Sequence, residues 1–321
     1  MTYVGIDVSK ATFVVAYSSA KSSETKTFKN TTKGIREFIR TISPEENHCV
    51  LEATGNYSML LVYLLSKAGF TVSMENPLKI KNFARVMLSV VKTDEIDARL
   101  IALYGERMQP APFKLRSDSL LLLKQKRTVL RQLKKQLTAN RNLEGSLKIL
   151  PFIDSKCKKV LEKTIKFLEK QIEEMEEELT SLAEIEYKKQ MDLLTSIKWI
   201  GATLAAALII ATGGFTYFDN AKQLTRYLGL SPTYQQSGTS VNVKGHINRN
   251  GDAYLRSQLY IGAMASLRCN TECKACFERL RSNGKPGKVA IVAVANKLIR
   301  QAFAVVTQEK IYIDGYKSVK P

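Results

Sequence analysis

The sequence predicts an α/β N-terminal domain, a long helical insert and a mainly helical C-terminal domain. Segments resembling strands and helices alternate over residues 1–113, glycine and proline are almost absent from 114–190, and loops leading into helices recur over 191–321. The chain has 321 residues, 45% of them hydrophobic, so it can bury a core, and two or three domains are expected.

The N-terminal segments predict a mixed sheet with helices between its strands. We expect strands at YVGIDVS, TFVVAYS, KTFKN, HCVLEAT and TVSMEN, and helices over 32–42, over 57–68 and in a stretch through Arg107. Adjacent strands followed by alternating helices and strands are typical of α/β proteins. The proline-rich QPAPF ends this domain.

The insert predicts two long helices that pair antiparallel around a turn at PFID. A coiled-coil stripe with alternating spacings of four and three runs along Leu161, Ile165, Leu168, Ile172, Met175, Leu179 and Leu182. Residues 114–148 contain ten Lys and Arg against two Asp and Glu, whereas 169–186 contain eight Glu against one Lys. Opposite charge favours pairing. A structural hairpin and a dimerisation arm that exchanges partners between two chains are equally good interpretations.

The C-terminal segments predict helices preceded by loops suited to phosphates. A helix-hairpin-helix around Gly201, with a single glycine in its turn, is one hypothesis. Two loops rich in Gly, Ser, Asn and basic residues, one containing QQSGTSVNVKGHINRNGD and the other RSNGKPGK, lead directly into helices. Such loops can approach phosphates closely.

The net charge points to a polyanionic partner. The chain carries 49 Lys and Arg against 30 Asp and Glu, a formal charge of +19. Nucleic acid is the leading partner and an anionic membrane surface the second. No apolar segment approaches the ~20 residues of a membrane span and no signal peptide is evident, so we expect a soluble, cytoplasmic protein.

The five cysteines fit a reducing compartment. Only Cys269, Cys273 and Cys276 cluster, and no histidine lies nearby as a further zinc ligand. We therefore favour reduced helix cysteines over a zinc site.

Four acidic residues are candidate ligands for divalent metal ions. Asp7 interrupts an apolar strand, and Glu52 ends another before a glycine turn. Asp94 and Asp97, three apart, share one face of a predicted helix, whereas Glu95 lies on another face. Unpaired buried carboxylates are costly and would raise one another's pKa, but a pair of divalent ions would match their charge. Two such ions, about 4 Å apart, can promote phosphodiester cleavage.

These motifs carry a family resemblance. GIDVSK, LEATGNY and KTDEIDA resemble the three acidic motifs of the DEDD transposases of insertion sequences, a family that includes pilin-gene invertases and bridge-RNA-guided recombinases. GLSPTYQQSG, KGHINRNGDAYLR and GKVAIVAVANKLIR are similar to the family's second conserved domain. The resemblance covers essentially the whole chain in the family's order.

The resemblance implies a fold, a chemistry and partners. The N-terminal domain would be RNase H-like, of the RuvC-like resolvase type, with Asp7, Glu52, Asp94 and Asp97 binding Mg²⁺, for which Mn²⁺ can substitute. A serine of QQSGTS, Ser237 or as the fallback Ser240, would attack DNA and become covalently linked to it. The implied partners are DNA, a structured non-coding guide RNA and further copies of the chain, as a dimer or tetramer, in a nucleoid-associated assembly.

Several basic residues are candidates for phosphate or RNA contacts, and ordinary solvated surface is the alternative for each. They are Lys244, Arg249, Arg256, Lys285, Lys288, Lys297 and Arg300.

Three other functions compete with a recombinase. A junction resolvase would use the same acids with water as nucleophile. An actin-like sugar kinase would use GIDVSK as a phosphate-binding strand, but a second phosphate strand and an adenosine motif are missing. A coiled-coil RNA- or DNA-binding protein with a degenerate catalytic domain would not need all four acids.

Overall fold

The computed structural model describes residues 2–18, 24–88, 93–237, 241–247 and 251–315, without the side chains of 233–246. The chain divides into two units, Met1–Leu115 and Arg116–Pro321. Separation of the second unit into an arm and a C-terminal domain, at 114–190 and 191–321, stays a prediction.

The first unit contains a five-stranded mixed sheet. Its strands are β1 (Thr2–Val8), β2 (Thr12–Tyr17), β3 (Lys26–Lys29), β4 (Asn47–Glu52) and β5 (Thr71–Glu75). Their order across the sheet is β3-β2-β1-β4-β5. The β1–β2 and β2–β3 pairs are antiparallel, and the β1–β4 and β4–β5 pairs are parallel. All five predicted strands are present, and the predicted α/β character of this unit is confirmed.

Four helices complete the first unit. They are α1 (Thr32–Ile39), α2 (Met59–Lys67), α3 (Pro77–Val86) and α4 (Asp94–Met108). The helix expected over 32–42 ends three residues early. The single helical stretch expected through Arg107 consists of two helices, because Asn76 caps α3 with Pro77 at its first position and Thr93 caps a new helix.

Strand alternation sends successive side chains to opposite faces of the sheet. On one face Val4, Ile6 and Val8 pack into a core with residues of α1 and α2. On the other face Val50 packs with Ile80 of α3 and with residues of α4. Asp7 shares the second face with Gly5, because the two are separated by one residue.

Two glycines let α4 lie directly on this second face. A Cβ atom at Gly5 would lie 2.2 Å from the Ala98 carbonyl oxygen and 2.2 Å from the Ala102 nitrogen. A Cβ atom at Gly105 would lie 2.8 Å from the Tyr3 ring. The early part of α4 therefore lies beside the later part of β1, so the helix runs antiparallel to the strand and its N-terminus reaches the carboxyl end of β1.

The second unit is mainly helical, as predicted. Its helices are α5 (Asp118–Leu147), α6 (Ser155–Glu186), α7 (Lys188–Thr195), α8 (Ala202–Thr212), α9 (Ala221–Tyr227), α10 (Ala253–Ser266), α11 (Thr271–Ser282) and α12 (Gly287–Gln308). Its one described sheet pairs β6 (Pro232–Ser237) with β7 (Val241–Ile247) antiparallel.

The long helices α5 and α6 form an antiparallel hairpin within one chain. Ion pairs join Lys126 to Glu178 and Lys134 to Glu176, and Arg141 pairs with Glu169 at 2.7 Å. As the residue numbers of the basic partners rise along α5, those of the acidic partners on α6 fall, so the two helices run antiparallel. This confirms the predicted antiparallel pairing of opposite charges. Coiled-coil packing and a role in dimerisation stay predictions.

The QQSGTS region differs from the sequence prediction. We expected a loop leading into a helix, but two strands, β6 and β7, occupy most of it. β-Branched Thr233, Val241 and Val243 at alternating positions favour extended chain. The two short helices expected around Gly201 are present as α7 and α8, with Trp199, at φ of 79°, in the left-handed conformation in the turn between them. Phosphate binding at this turn stays a prediction.

Helix α12 corrects the expectation that no segment approaches the length of a membrane span. Among the described helices it alone is long and apolar enough to cross a bilayer. Ala290, Val294, Leu298 and Ala302 of α12 are fully buried in the core of the second unit. Packing within the protein therefore accounts for its apolar composition.

Candidate functional site

Two of the predicted acids lie side by side at the carboxyl ends of parallel strands. Ile6 of β1 pairs in register with Leu51 of β4, which makes Asp7 and Glu52 neighbours at the following position. Both side chains are partly buried and lie on the sheet face that carries α4. The carboxyl edge of parallel strands is where α/β proteins commonly bind ligands.

The other two acids lie in the first turn of α4. The Thr93 side chain accepts a hydrogen bond from the Ile96 N–H and so fixes where the helix begins. Asp94 is exposed and Asp97 is partly buried, whereas Glu95 is exposed. Acids in a first turn are also stabilised by the helix dipole, so their presence has a structural reason besides any function.

The four carboxylates interact electrostatically. Burial and the negative charges of Asp94, Asp97 and Glu52 raise the pKa of Asp7 to about 6, although the Val8 backbone N–H lowers it. The sheet register and the docking of α4 on β1 therefore bring the four predicted acids within range of one another.

The acids form an open cluster rather than a closed coordination shell. Across the described ranges, no three His, Cys, Asp or Glu side chains lie close enough together to hold a metal ion. The donor set nevertheless fits Mg²⁺, which prefers carboxylate oxygens, and a divalent cation would offset the repulsion that raises the Asp7 pKa.

The cysteines do not converge either. All five are free thiols; of the predicted cluster Cys273 is buried and Cys269 is exposed. Burial raises the pKa of Cys273. The preference for reduced cysteines over a zinc site stays a prediction.

Asn30, which sequence reasoning missed, ties together the turns that follow the two strand acids. Its Nδ2 donates to the Ser9 carbonyl oxygen and to the Tyr57 carbonyl oxygen, both at 3.0 Å. Its backbone N–H donates to the Ala11 carbonyl oxygen at 2.8 Å. Nothing in the local sequence signals this role, because the partners are 19 to 27 residues away.

A fifth carboxylate occupies the same edge of the sheet. Glu75 of β5 pairs in register with Glu52 and is buried, with 9% of its surface exposed. Lys79 Nζ lies 2.8 Å from its Oε2, one turn into α3. The ion pair with Lys79 offsets the negative charge of Glu75.

The candidate nucleophiles belong to the second unit. Ser237 is the last residue of β6 and pairs with Val241. Its side-chain contacts and the whole of Ser240 lie outside the described residues. Ser237 therefore ends a strand rather than lying within an irregular loop.

The candidate phosphate contacts differ in environment. Lys285 and Lys288 are exposed on either side of the α12 N-terminus. Arg256 is partly buried and donates from Nη1 to the Leu228 carbonyl oxygen at 3.3 Å, and so has a structural partner. Lys244 lies on β7 without a described side chain, and Arg249 lies outside the described residues.

A partly buried ion pair links the helical hairpin to α10. Asp252 caps α10 by accepting from the Tyr254 and Leu255 N–H groups, and Arg127 Nη2 donates to its Oδ2 at 2.7 Å. Burial raises the pKa of Asp252, but the charges of Arg127 and Arg131 and the hydrogen bonds from Leu255 and Arg127 together hold that pKa below its usual value. Sequence reasoning missed this pair, because 125 residues separate the partners.

Comparison with known proteins identifies the class. A family model described as "Transposase" matches residues 4–149, which include all four acids, and a second, "Transposase IS116/IS110/IS902 family", matches residues 191–278, which include the serine-bearing hairpin. The protein is thus a DNA-modifying enzyme of the transposase class. Full-length relatives define its family more closely.

The pilin gene-inverting protein of Moraxella bovis is 30% identical over 321 residues, 96% of this chain and 97% of that protein. Its counterpart in Moraxella lacunata is 30% identical over 319 residues with the same coverage. A probable family 20 transposase of Pseudomonas aeruginosa is 29% identical over 136 residues, 41% of this chain and 40% of that protein. The chain belongs to the IS116/IS110/IS902 family of transposases, as the sequence motifs indicated.

Proposed function

We propose that the protein is the recombinase of an insertion sequence, cutting and rejoining DNA with an acidic tetrad and a serine nucleophile. The observation that carries the proposal is the clustering of Asp7, Glu52, Asp94 and Asp97 at one edge of the sheet, in a chain of the transposase family. The net charge of +19 suits a nucleic-acid substrate.

An RNase H-like fold of the RuvC-like type is the proposed framework of the first unit. Three antiparallel strands, β1 to β3, flanked on the β1 side by parallel β4 and β5, support it. On this framework β1 is central, which makes Asp7 the most rigidly held of the acids.

The four acids are the proposed ligands of Mg²⁺, or of Mn²⁺ in its place. Bound divalent ions would supply charge stabilisation for the phosphoryl oxygens and the leaving oxygen. Asp7 and Glu52 contribute fixed oxygens from the sheet, and Asp94 and Asp97 contribute oxygens from one helix face. Below pH about 6 Asp7 holds a proton and its oxygens become poorer ligands.

Ser237 is the proposed nucleophile, with Ser240 as the fallback. Its Oγ forms a bond to phosphorus while the bond from phosphorus to the 3′ oxygen breaks. The hydroxyl proton passes to a base, and the 3′ oxygen leaves carrying the electron pair. The covalent linkage conserves the phosphodiester for rejoining, which hydrolysis would lose.

A cleavage assay on supercoiled DNA containing the element ends tests the proposal. Asp7→Asn should fold, bind DNA and fail to cut, because it loses one anionic ligand. Ser237→Ala should abolish both cutting and the covalent protein–DNA adduct, with Glu95→Gln as the matched acidic control that retains cutting. Normal cutting by Asp7→Asn, or adduct formation by both Ser237→Ala and Ser240→Ala, would contradict the mechanism.

A structured non-coding RNA is the proposed guide, and the active assembly is proposed to be a homo-oligomer. Exposed apolar side chains at the tip of the helical hairpin, Ile149 and Phe152, support further association, since 85% and 86% of their surfaces are exposed. Sequencing RNA that co-purifies with the protein tests the guide, and light scattering tests the assembly.

A DNA invertase without an RNA guide is the second candidate. The full-length similarity to two pilin gene-inverting proteins favours it. Inversion of a DNA segment by purified protein freed of RNA would support this candidate over the guided recombinase.

A further inference from the structure

An open groove of about 650 Å³ runs between α11 and α12 of the second unit. Residues of both helices line it, and Thr271 and Gly315 lie at one end. Asp314 fixes that end, because its Oδ1 accepts from the Thr271 N–H at 3.1 Å and is 3.0 Å from Thr271 Oγ1.

Cross-links between the helices hold the groove open without a ligand. Asn270, only 1% exposed, donates from Nδ2 to Gln301 Oε1 at 3.0 Å. Lys297 Nζ lies 2.7 Å from Glu272 Oε2. The groove is therefore pre-formed, and binding in it would not need to order the two helices.

Two guanidinium groups give the groove its charge. Arg300 of α12 donates from Nε to Asn296 Oδ1 at 3.0 Å, and Asn296 Nδ2 in turn donates to the Leu230 carbonyl oxygen at 3.3 Å. This chain of bonds orients Arg300 and leaves its two terminal nitrogens for a ligand. Arg279 of α11 also lines the groove. Within the described ranges neither arginine forms an ion pair with a carboxylate.

We propose that this groove binds the phosphate backbone of a single nucleic-acid strand, with Arg279 and Arg300 contacting phosphates. The inference rests on the proposed function only in taking nucleic acid as the ligand. Glu272, beside Thr271 at one end, is seven residues from Arg279, about 10 Å along α11 at 1.5 Å per residue. A groove of that length open to solvent suits a chain rather than a small anion, and oriented guanidinium groups favour phosphate oxygens.

Binding of fluorescein-labelled single-stranded DNA and of RNA of the same sequence tests the groove. The full-length Arg279→Ala/Arg300→Ala variant should bind at least one of them about tenfold more weakly, since charged hydrogen bonds are lost. Lys163→Ala/Lys166→Ala, the same charge change at exposed positions on α6, should alter affinity less than twofold. Thermal unfolding of each variant checks that the fold is intact.

Thiol footprinting gives a second readout that does not require a variant. Cys276 is partly buried in the groove, and Cys157 is exposed on α6 as an internal reference. Saturating oligonucleotide should slow maleimide labelling of Cys276 relative to Cys157. Protection by DNA alone or by RNA alone identifies which strand occupies the groove.

Unchanged Cys276 labelling together with wild-type affinity in the double variant would overturn the groove assignment. If the Arg279→Ala/Arg300→Ala variant still cuts DNA in that case, the proposed recombinase function stands although the groove assignment fails. Wild-type protein that binds neither oligonucleotide would overturn both. Protection by polyglutamate but by neither nucleic acid would assign the groove to an acidic protein segment instead.

Discussion

Asp7 is an acid in a position where the packing of the strand would accept an apolar residue. Its neighbours Ile6 and Val8 are buried on the opposite face, and Gly5 allows α4 to approach on its own face. Burial and three nearby carboxylates make its ionised form unfavourable in the absence of a cation. A residue that costs stability is expected at a functional site rather than in a structural role.

Asp7→Asn should therefore stabilise the metal-free protein at neutral pH. The folded state binds the Asp7 proton more tightly than the unfolded chain, so this contribution to stability is fully present below pH about 4 and is lost as the pH rises through about 6. In EDTA, Tm of the variant should exceed that of the wild type by a few degrees at pH 8 and by less at pH 5.

Magnesium provides the control for this prediction. With millimolar Mg²⁺ the wild type should gain Tm and the variant should gain less, because one ligand is neutral. An equal Tm for the two proteins in EDTA at every pH would show that Asp7 is not destabilised by its neighbours.

Site residues could be predicted from the sequence where an acidic side chain interrupted the hydrophobic pattern of a strand or shared a helix face with another acid. Asp7 and Glu52 interrupt or end apolar strands, and Asp94 and Asp97 share a helix face, so both pairs could be singled out. Asn30 breaks no pattern, since asparagine is common where a strand ends. Its bonds to Ser9 and Tyr57 exist only once the fold has brought three distant turns together.

At the scale of elements, the contact of α4 with β1 builds the acidic cluster. The strand carries Asp7 and the helix carries Asp94 and Asp97, so the separation of these acids depends on how closely the helix lies on the strand. Gly5 sets that separation, because a side chain there would meet α4 backbone atoms.

Gly5→Ala should destabilise the protein by about 3 kcal/mol or more, because the new methyl group must displace α4 or β1. The same displacement should reduce DNA cutting by moving two acids away from Asp7. Urea unfolding and the supercoiled-DNA assay measure the two effects.

Gly145→Ala is the matched control, since nothing lies within 4 Å of the corresponding Cβ position in α5. It should stabilise the helix by about 0.5–1 kcal/mol. Wild-type stability and cutting in Gly5→Ala would show that α4 does not depend on this close approach.

Sequence patterns predicted helices and strands of the first unit better than the β6–β7 hairpin. Apolar strands such as β1 and β4 have a strong signal because both faces are covered. The hairpin contains Gln, Ser, Asn, Lys and Gly, whose composition resembles a loop. Only the alternation of its β-branched residues distinguished it, and composition outweighed that signal.

Considered as a whole molecule, the chain carries most of its positive charge in one unit. Met1–Leu115 contains 15 Lys and Arg against 11 Asp and Glu, whereas Arg116–Pro321 contains 34 against 19. Long-range attraction of a polyanion should therefore come chiefly from the second unit.

Neutralising the exposed lysines on either side of the α12 N-terminus should reduce the salt dependence of nucleic-acid binding. Lys285→Ala/Lys288→Ala should lower the slope of log K against log salt by about 2 if both contact phosphates. The slope is measured by fluorescence anisotropy over a salt series.

Lys26→Ala/Lys33→Ala is the control in the first unit, where both lysines are exposed. Its slope should match that of the wild type. An equal reduction of the slope in both variants would contradict the prediction. It would mean that the net charge of the chain sets the salt dependence, rather than phosphate contacts near the α12 N-terminus.

Whole-molecule features were the least accessible to sequence reasoning. Opposite charges predicted the pairing of α5 with α6, because α5 is mainly basic and residues 169–186, the second half of α6, are mainly acidic. The contact of Arg127 with Asp252 could not be inferred from the sequence. Arg127 is explained as one of many basic residues on α5, and Asp252 is explained as the N-cap of α10, so neither residue signals a distant partner.

The docking of α4 also links cation binding to folding. Two proposed ligands belong to the sheet and two to the helix, so a bound cation would join the two elements and oppose their separation. Magnesium should then slow backbone hydrogen exchange in α4 more than in α1, which carries none of the four acids. The acidic cluster would then act as a cation-dependent cross-link between the sheet and α4, present only when the divalent ion needed for cutting is bound.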